Sequence, residues 1–301
     1  MKVRANGLQI EVDDSGADGS QNERPVVLLI MGLGMQLIGW PNDFVQPLVD
    51  AGFRVLRYDN RDIGLSQGFE HKGQRSVVWQ SIRQKIGLRV QSAYTLQDMA
   101  NDAVGVLDAL GIRRAHIVGA SMGGMIAQRV AATAPDRVLS LTSIMSSSGA
   151  RGLPGPRPEI ARGLFSRPTS RDEDALVDFS VKFVKLIGSP AYPYEHNALA
   201  TRVRTGIRRA YRPDGLVRQM LAIGADNQRP TVLGNIKSPT LVLHGDADKL
   251  VPIECGHDTA RRIPGARFVS VPGMGHDLPP QVSDILLGHI IPFLRQSGEP
   301  Q

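Results

Sequence analysis

Residues 115–124, AHIVGASMGG, run from an apolar strand pattern straight into the helical pattern MGGMIAQRVAATAP, which stops at Pro135. A serine at such a strand-to-helix turn is exposed, but its strained backbone brings neighbouring chain segments very close. Small residues two positions before and two after the serine relieve this crowding, which produces the pattern G-x-S-x-G. Gly119 and Gly123 flank Ser121 in this way. The stretch therefore predicts a turn that presents Ser121 as a nucleophile.

Strand and helix patterns alternate on both sides of this turn. The strand patterns are mostly continuous aliphatic runs, and the helical patterns place apolar residues at helical spacing. The strand patterns are LQIEVDD (8–14), PVVLLIMG (25–32), FRVLRYD (53–59), AHIVGAS (115–121), VLSLTSIMS (138–146), PTLVLHGD (239–246) and ARFVSVPG (266–273). The helical patterns between and after them are DFVQPLVDAG (43–52), YTLQDMANDAVGVLDALGI (94–112), MGGMIAQRVAATAP (122–135) and VSDILLGHIIPFLRQ (282–296). This alternation predicts an α/β fold with a mostly parallel, doubly wound sheet, in which residues 8–14 form an edge strand.

The alternation stops after Ser146 and returns near Gly234. The intervening chain starts with the Gly/Pro-rich segment ARGLPGPRPE and continues with helical patterns such as EDALVDFSVKFVKLIG and PDGLVRQMLAIGA. We therefore predict an α/β core of residues 1–147 and 233–301, interrupted by an inserted helical cap of residues 148–232.

A base and an acid for Ser121 are predicted at the ends of two later strand patterns, where open α/β sheets place their sites. His276 follows the strand ARFVSV and precedes the last helix, so its imidazole can take the serine proton. HGDADKLVP after the strand PTLVL offers Asp246 and Asp248 as the acid. We predict Asp248, which lies further into the loop; Asp246 is the alternative and more plausibly caps the turn.

Two backbone amides are predicted to hold the oxyanion of a tetrahedral intermediate. The N–H of Met122 follows from the turn at Ser121, since a helix begins there. A second amide is expected from the loop Met31-Gly32-Leu33-Gly34 after the strand PVVLLI. We assign the N–H of Leu33, with Gly34 as the alternative.

Cofactor and metal sites are not predicted. A dinucleotide fingerprint after Gly32 and Gly34 needs a third glycine at position 37, which is Leu37. Cys255 and His257 have no second ligand pair at zinc spacing.

Nucleic acid is not a predicted partner, although the net charge is +6. Aromatic residues make up only 5% of the chain, and no nucleic-acid-binding module accompanies the basic residues. One local cluster, Arg202, Arg204, Arg208 and Arg209, is predicted to be a solvated helix face.

A cytoplasmic location is expected from three observations. Cys255 is the single cysteine, so there is no internal disulfide. The first residues, MKVRANGLQIEVDD, lack a signal-peptide pattern, and the longest apolar run, Val26–Met35, is too short to cross a bilayer. No membrane insertion is therefore predicted, and a homo-oligomer is possible.

Four segments in this order resemble the α/β-hydrolase family: YDNRDIGLS (58–66), GASMGG (119–124), HGDAD (244–248) and PGMGH (272–276). The stretches MGLGMQLIGWPNDFVQPLVDAGFRVLRYDNRDIG (31–64) and PDGLVRQMLAI (213–223) are similar to aclacinomycin methylesterase-like enzymes. The resemblance implies a serine carboxylesterase that hydrolyses small-molecule esters through an acyl-enzyme intermediate, with its helical cap at the insertion. One departure is Met31-Gly32, where many relatives have His-Gly.

Other functions use the same scaffold. A C–C bond hydrolase and a perhydrolase of the non-haem haloperoxidase type use the same triad, and they stay open as alternatives. A more remote alternative is a non-catalytic ligand-binding receptor. The resemblance makes haloalkane dehalogenases and epoxide hydrolases poor candidates, because they carry an aspartate where this chain has Ser121.

Overall fold

A mostly parallel sheet forms the centre of the structure, a computed structural model that describes residues 1–19, 23–69, 79, 80, 83, 88 and 90–298. Its strands are β1 (Lys2–Ala5), β2 (Leu8–Asp14), β3 (Val26–Ile30), β4 (Arg54–Tyr58), β5 (Ala115–Ala120), β6 (Val138–Ile144), β7 (Thr240–Gly245) and β8 (Arg267–Val271). They lie in the order β1-β2-β4-β3-β5-β6-β7-β8. Strand β2 is antiparallel to both of its neighbours, and the strands from β4 to β8 are parallel to one another. The predicted α/β architecture is confirmed.

Helices cover both faces of the sheet. In chain order the described helices are α1 (Asn42–Asp50), α2 (Leu96–Ala109), α3 (Met122–Thr133), α4 (Pro158–Phe165), α5 (Glu173–Ile187), α6 (His196–Arg209), α7 (Pro213–Ala225), α8 (Arg229–Val232), α9 (Ile253–Arg262) and α10 (Pro280–Gly298). Alternate residues of β3 enter different cores: Leu28 and Ile30 pack with α2 and α3, whereas Val27 and Leu29 pack with α1 and α10. Burial on both faces explains why this strand is a continuous apolar run.

Local sequence signals set the helix ends near the site. Helix α2 begins with a capping box, in which the Thr95 side chain accepts the Asp98 amide and the Asp98 carboxylate accepts the Thr95 amide. Gly111, just beyond its C-terminus, has φ +67°. This left-handed conformation is one that glycine adopts without steric cost.

The prediction that residues 8–14 form an edge strand is wrong. Strand β1 pairs with β2 and occupies the edge of the sheet. A strand of four residues is too short to show a clear alternation, so β1 escaped the pattern search. The turn between the two strands is Asn6-Gly7, and both residues have positive φ. Asn-Gly is a strong hairpin signal and could have revealed β1.

Five helices, α4 to α8, lie between β6 and β7, and no strand occurs among residues 145–239, all of which are described. Helix α6 carries the arginine cluster, and the prediction of a solvated face fails for two of its members. Arg202 donates to the carbonyl of Gly39 over 2.6 Å, and Arg209 forms an ion pair with Asp59 over 2.7 Å. These partners are far away in sequence, so the charge pattern could not reveal them.

No helix in the described part of the chain is long and apolar enough to cross a membrane. The same residues contain no group of three or more histidine, cysteine, aspartate or glutamate side chains that could hold a metal ion.

His116 gives the core a pH-sensitive position. Its Nδ1 lies 2.8 Å from Ser140 Oγ, inside the sheet. Burial, aided by the positive charge of Arg114, lowers the pKa of His116 to about 4 from an ordinary value of 6.5. Between these pH values the unfolded chain binds a proton that the folded chain does not. Stability is therefore lost as the pH falls through this window.

We expect His116→Gln to flatten the pH dependence of the free energy of unfolding between about pH 6.5 and pH 4, by about 1 kcal/mol per pH unit. Urea unfolding at several pH values measures this slope. His196→Gln is the control, because His196 is exposed and its replacement should leave the slope unchanged. Equal slopes for the His116 variant and the wild type would contradict the prediction.

Candidate active site

Ser121 lies at the sharp turn between β5 and α3, with φ 56° and ψ −121°. Its N–H donates to the carbonyl of Ile144, and its carbonyl accepts the hydroxyl of Ser146 over 2.7 Å. A Cβ on Gly123 would lie 1.9 Å from the carbonyl oxygen of Ile30, and one on Gly119 would lie 2.2 Å from that of Gly123. The crowding inferred from G-x-S-x-G is therefore present on both sides of the serine.

His276 lies in the loop after β8 and faces Ser121. Its Nε2 is 2.9 Å from Ser121 Oγ, and its Nδ1 is 2.6 Å from Asp248 Oδ2. The backbone N–H of His276 donates to the carbonyl of Ile187, the last residue of α5. A carboxylate only accepts hydrogen bonds, so Nδ1 carries the proton and Nε2 is free to accept the serine hydroxyl.

Asp248 is held on both of its oxygens. Oδ1 accepts the N–H groups of Leu250 and Val251, at 2.9 and 2.8 Å, while Oδ2 faces the imidazole. Burial acts to raise the pKa of Asp248, but the charge of His276 and the hydrogen bonds of His244 and His276 outweigh it and lower the pKa. The carboxylate thus stays ionised beside the ring.

Asp246, the alternative acid, lies elsewhere. Its Oδ1 accepts the N–H of Gly273 over 2.6 Å and so joins the loop after β7 to the loop after β8. Asp277, next to His276 in sequence, accepts the N–H of Ser189 over 2.9 Å. The structure therefore brings Asp248, and neither of these carboxylates, to the imidazole of His276.

His244 shapes the acid loop. Its Nε2 lies 2.7 Å from the carbonyl oxygen of Val251 and 3.6 Å from Asp248 Oδ2. A Cβ on Gly256 would meet this ring at 2.5 Å, so α9 packs directly against it. His244 therefore braces the turn that carries Asp248, which agrees with its expected role.

The predicted oxyanion loop is a β-turn beside the serine. The N–H of Met35 closes the turn onto the carbonyl of Gly32, and Gly34 has φ +69°. A Cβ on Gly32 would lie 3.1 Å from that of Ser121, so the turn borders the nucleophile. The N–H of Gly34 donates to Oε1 of Gln219 over 2.9 Å and is already engaged.

The amides of Leu33 and Met122 have no acceptor among the described residues. They are therefore available to bind a developing negative charge beside Ser121. Gly34, the alternative donor, lacks this availability.

The segment after β4 is essential to the site, and sequence reasoning assigned it no role. Asp59 Oδ1 accepts the N–H of Leu37, and Asn60 Nδ2 donates to the carbonyl of Met31 over 2.9 Å. Both partners flank the oxyanion turn. The available signal was the polar run DNRD directly after an apolar strand. Its function depends on partners that the pattern does not identify.

A family model described as the alpha/beta hydrolase fold matches residues 25–280. The chain belongs to the α/β-hydrolase fold family. The hydrogen-bonded chain from Ser121 through His276 to Asp248 lies at the carboxyl ends of β5, β7 and β8 of this α/β-hydrolase.

Curated relatives of this α/β-hydrolase include esterases and C–C bond hydrolases. It is 28% identical to the rhodomycin D methylesterase DauP of Streptomyces sp. (strain C5), over 89% of this chain and 90% of the relative. It is 29% identical to the rhodomycin D methylesterase DnrP of Streptomyces peucetius, with the same coverage. A 2-hydroxy-6-oxononadienedioate/2-hydroxy-6-oxononatrienedioate hydrolase of Paraburkholderia phymatum is 28% identical, over 89% of this chain and 85% of the relative.

Solved structures share the fold. The enol-lactonase of Burkholderia xenovorans LB400 superposes with a TM-score of 0.74 at 22% identity, covering 98% of this chain and 100% of the enol-lactonase. A meta-cleavage product hydrolase of Pseudomonas fluorescens IP01 gives a TM-score of 0.75 at 17% identity, covering 99% of this chain and 98% of that chain. At these identities the likeness concerns the fold alone.

We expect Gly123→Ala to lower the free energy of unfolding by at least about 2 kcal/mol, because its methyl group would collide with the backbone of β3. Chemical denaturation measures the loss. Gly288→Ala is the matched control, since Gly288 lies in α10 with open space around its Cα. That variant should be more stable by up to about 1 kcal/mol, because alanine favours the helix. Wild-type stability of the Gly123 variant would contradict the crowding argument.

Proposed function

We propose that this α/β-hydrolase is a serine carboxylesterase that hydrolyses small-molecule carboxylic esters through an acyl-enzyme intermediate. The observation that carries the proposal is the hydrogen-bonded chain Ser121–His276–Asp248, next to two unengaged backbone amides. Relatives named as methylesterases match it over 89% of its length.

Acylation begins when Ser121 Oγ attacks the ester carbonyl carbon and His276 Nε2 takes the serine proton. Asp248 stabilises the imidazolium that forms. The amides of Leu33 and Met122 bind the oxyanion of the tetrahedral intermediate. When the intermediate collapses, His276 returns the proton to the leaving alcohol and the acyl group stays on Ser121.

Deacylation repeats these steps with water. His276 Nε2 removes a proton from a water molecule, and the resulting hydroxide attacks the acyl carbonyl carbon. The same two amides hold the second oxyanion. Release of the carboxylic acid restores the Ser121 hydroxyl, and no cofactor or metal is needed at any step of the proposed cycle.

Residues 148–232 serve as the cap in this proposal, and residues 1–147 and 233–301 as the core. Contacts between the two segments lie close to the proposed triad: the N–H of His276 binds the carbonyl of Ile187, and the N–H of Gly275 binds Ser189 Oγ over 2.9 Å. A Cβ on Gly275 would lie 2.3 Å from the carbonyl oxygen of Gly188. The cap thereby covers the histidine loop and lines the ester pocket.

Hydrolysis of a C–C bond is the second candidate, favoured by the relative from Paraburkholderia phymatum, which is named for it. Relative rates on an aryl ester and a vinylogous diketone distinguish the two activities. A perhydrolase would form peracid when peroxide is added, and measurable steady-state turnover argues against a receptor. A cytoplasmic location and a homo-oligomer stay predictions from the sequence.

We expect Ser121→Ala to lose at least about a thousandfold in kcat on p-nitrophenyl esters, because the triad members act as a unit. A series of esters with different acyl lengths, assayed on both proteins, also measures the acyl preference. Circular dichroism establishes that the variant is folded. Near-normal turnover by Ser121→Ala would exclude the proposed nucleophile.

The two neighbouring aspartates give a matched test of the acid. Asp248→Asn should lower kcat by about a hundredfold or more, because the imidazolium loses its carboxylate partner. Asp246→Asn should cost less than about tenfold, because its side chain only holds the Gly273 amide. Steady-state kinetics on p-nitrophenyl butyrate measures both variants. A larger loss for Asp246→Asn would move the acid to that residue.

A further inference from the structure

Gln219 of α7 is fully buried and lies between two loops of the core. Its Oε1 accepts the N–H of Gly34 over 2.9 Å, and its Nε2 donates to the carbonyl of Arg61 over 3.0 Å. A backbone N–H can only donate and a carbonyl oxygen can only accept, so these partners fix which way the side-chain amide faces. One glutamine therefore joins the oxyanion turn after β3 to the loop after β4.

Helix α7 is anchored on these loops on either side of Gln219 in sequence. Arg218 forms two hydrogen bonds with Asp62, at 2.6 and 2.8 Å, and both side chains are buried. Burial alone would raise the pKa of Asp62, but the hydrogen bond from Arg218 and those from Phe69 and Tyr94 lower it. The carboxylate is therefore ionised and pairs firmly with the arginine.

The backbone of α7 also approaches the core closely. A Cβ on Gly215 would lie 2.0 Å from the carbonyl oxygen of Asp62. Leu216 packs over Gly34, where an added Cβ would meet its Cδ1 at 2.6 Å. Leu216 and Gln219 are three residues apart, so one face of the helix contacts both the Cα and the N–H of Gly34.

Gly34 follows Leu33, whose amide is the proposed oxyanion donor. The two residues occupy the central positions of the turn that Met35 closes. Rotation of the peptide between them would change the direction of the Leu33 N–H and break the bond from Gly34 to Gln219. That bond therefore selects one orientation of the turn.

We propose that Gln219 is a positioning residue of the oxyanion site: by holding the Gly34 amide, the cap helix α7 fixes the direction in which the Leu33 amide points. This inference rests on the proposed esterase function. It assigns Gln219 no contact with the substrate and no part in proton transfer.

The test compares Gln219→Met with Gln36→Met on p-nitrophenyl butyrate. Gln36 is a matched control because it is also a buried glutamine between core and cap. Its Nε2 donates to the carbonyls of Gly206 and Ala210, and its Oε1 accepts from Arg209. Its replacement removes contacts between cap and core without removing the bond to Gly34.

A misdirected oxyanion donor acts on the transition state, so Gln219→Met should lose about 10- to 100-fold in kcat with little change in KM. Gln36→Met should lower the thermal midpoint but keep kcat within about twofold of wild type. A trifluoromethyl ketone with a butyl chain provides an independent readout. Ser121 adds to its carbonyl carbon, His276 takes the serine proton, and the carbonyl electron pair becomes an oxyanion. Its inhibition constant should rise by the same factor by which kcat/KM falls.

Wild-type kcat in Gln219→Met, or a loss confined to KM with an unchanged inhibition constant, would overturn the positioning role and leave the esterase proposal intact. Absence of ester turnover in the wild type would overturn the esterase proposal and this inference with it. If Gln219→Met does not fold, Gln219→Asn decides, because it keeps the polar groups but is one methylene too short to reach Gly34. The same loss of kcat is expected, and wild-type kcat would overturn the inference.

Discussion

The backbone conformation of Ser121 is the constraint on which the rest of the site depends. Its φ of 56° turns the chain from β5 into α3 within one residue. The turn brings the start of α3 against the carbonyl of Ile30 and leaves no room for a side chain on Gly123. Because β3 and β5 are adjacent and parallel, their following loops meet at one edge of the sheet. The serine and the Leu33 amide are neighbours for this reason.

Backbone groups, rather than charged pairs alone, join the inserted helices to the loops of the core. His276 donates its N–H to Ile187, and Gln219 binds the backbone of Gly34 and Arg61. Such contacts depend on the path of the chain and tolerate many changes in the side chains of the loops. The side chains that supply them, above all Gln219, have no such freedom.

Local pattern predicted the fold, the nucleophile and the proposed base, because each depends on a few consecutive residues. Ser121 and His276 both lie at strand ends that periodicity could locate, and Asp248 followed from its place in the loop after β7. Gln219 could not be found in this way. Its partner Gly34 is 185 positions away, and on a helical pattern it resembles any other polar residue. Arg202 and Arg209 were misjudged for the same reason, and β1 was missed because it has only four residues.

The inserted segment contacts both halves of the catalytic apparatus. Helix α5 ends on the loop that carries the imidazole, and α7 ends its polar contacts on the turn that carries the oxyanion amide. An outward displacement of the segment that broke both sets of bonds would release the base and the anion donors together. A displaced segment would therefore admit substrate to an incompetent enzyme, and a seated one would be competent but covered. Access and reactivity would then belong to different conformations, and each turnover would need both in succession.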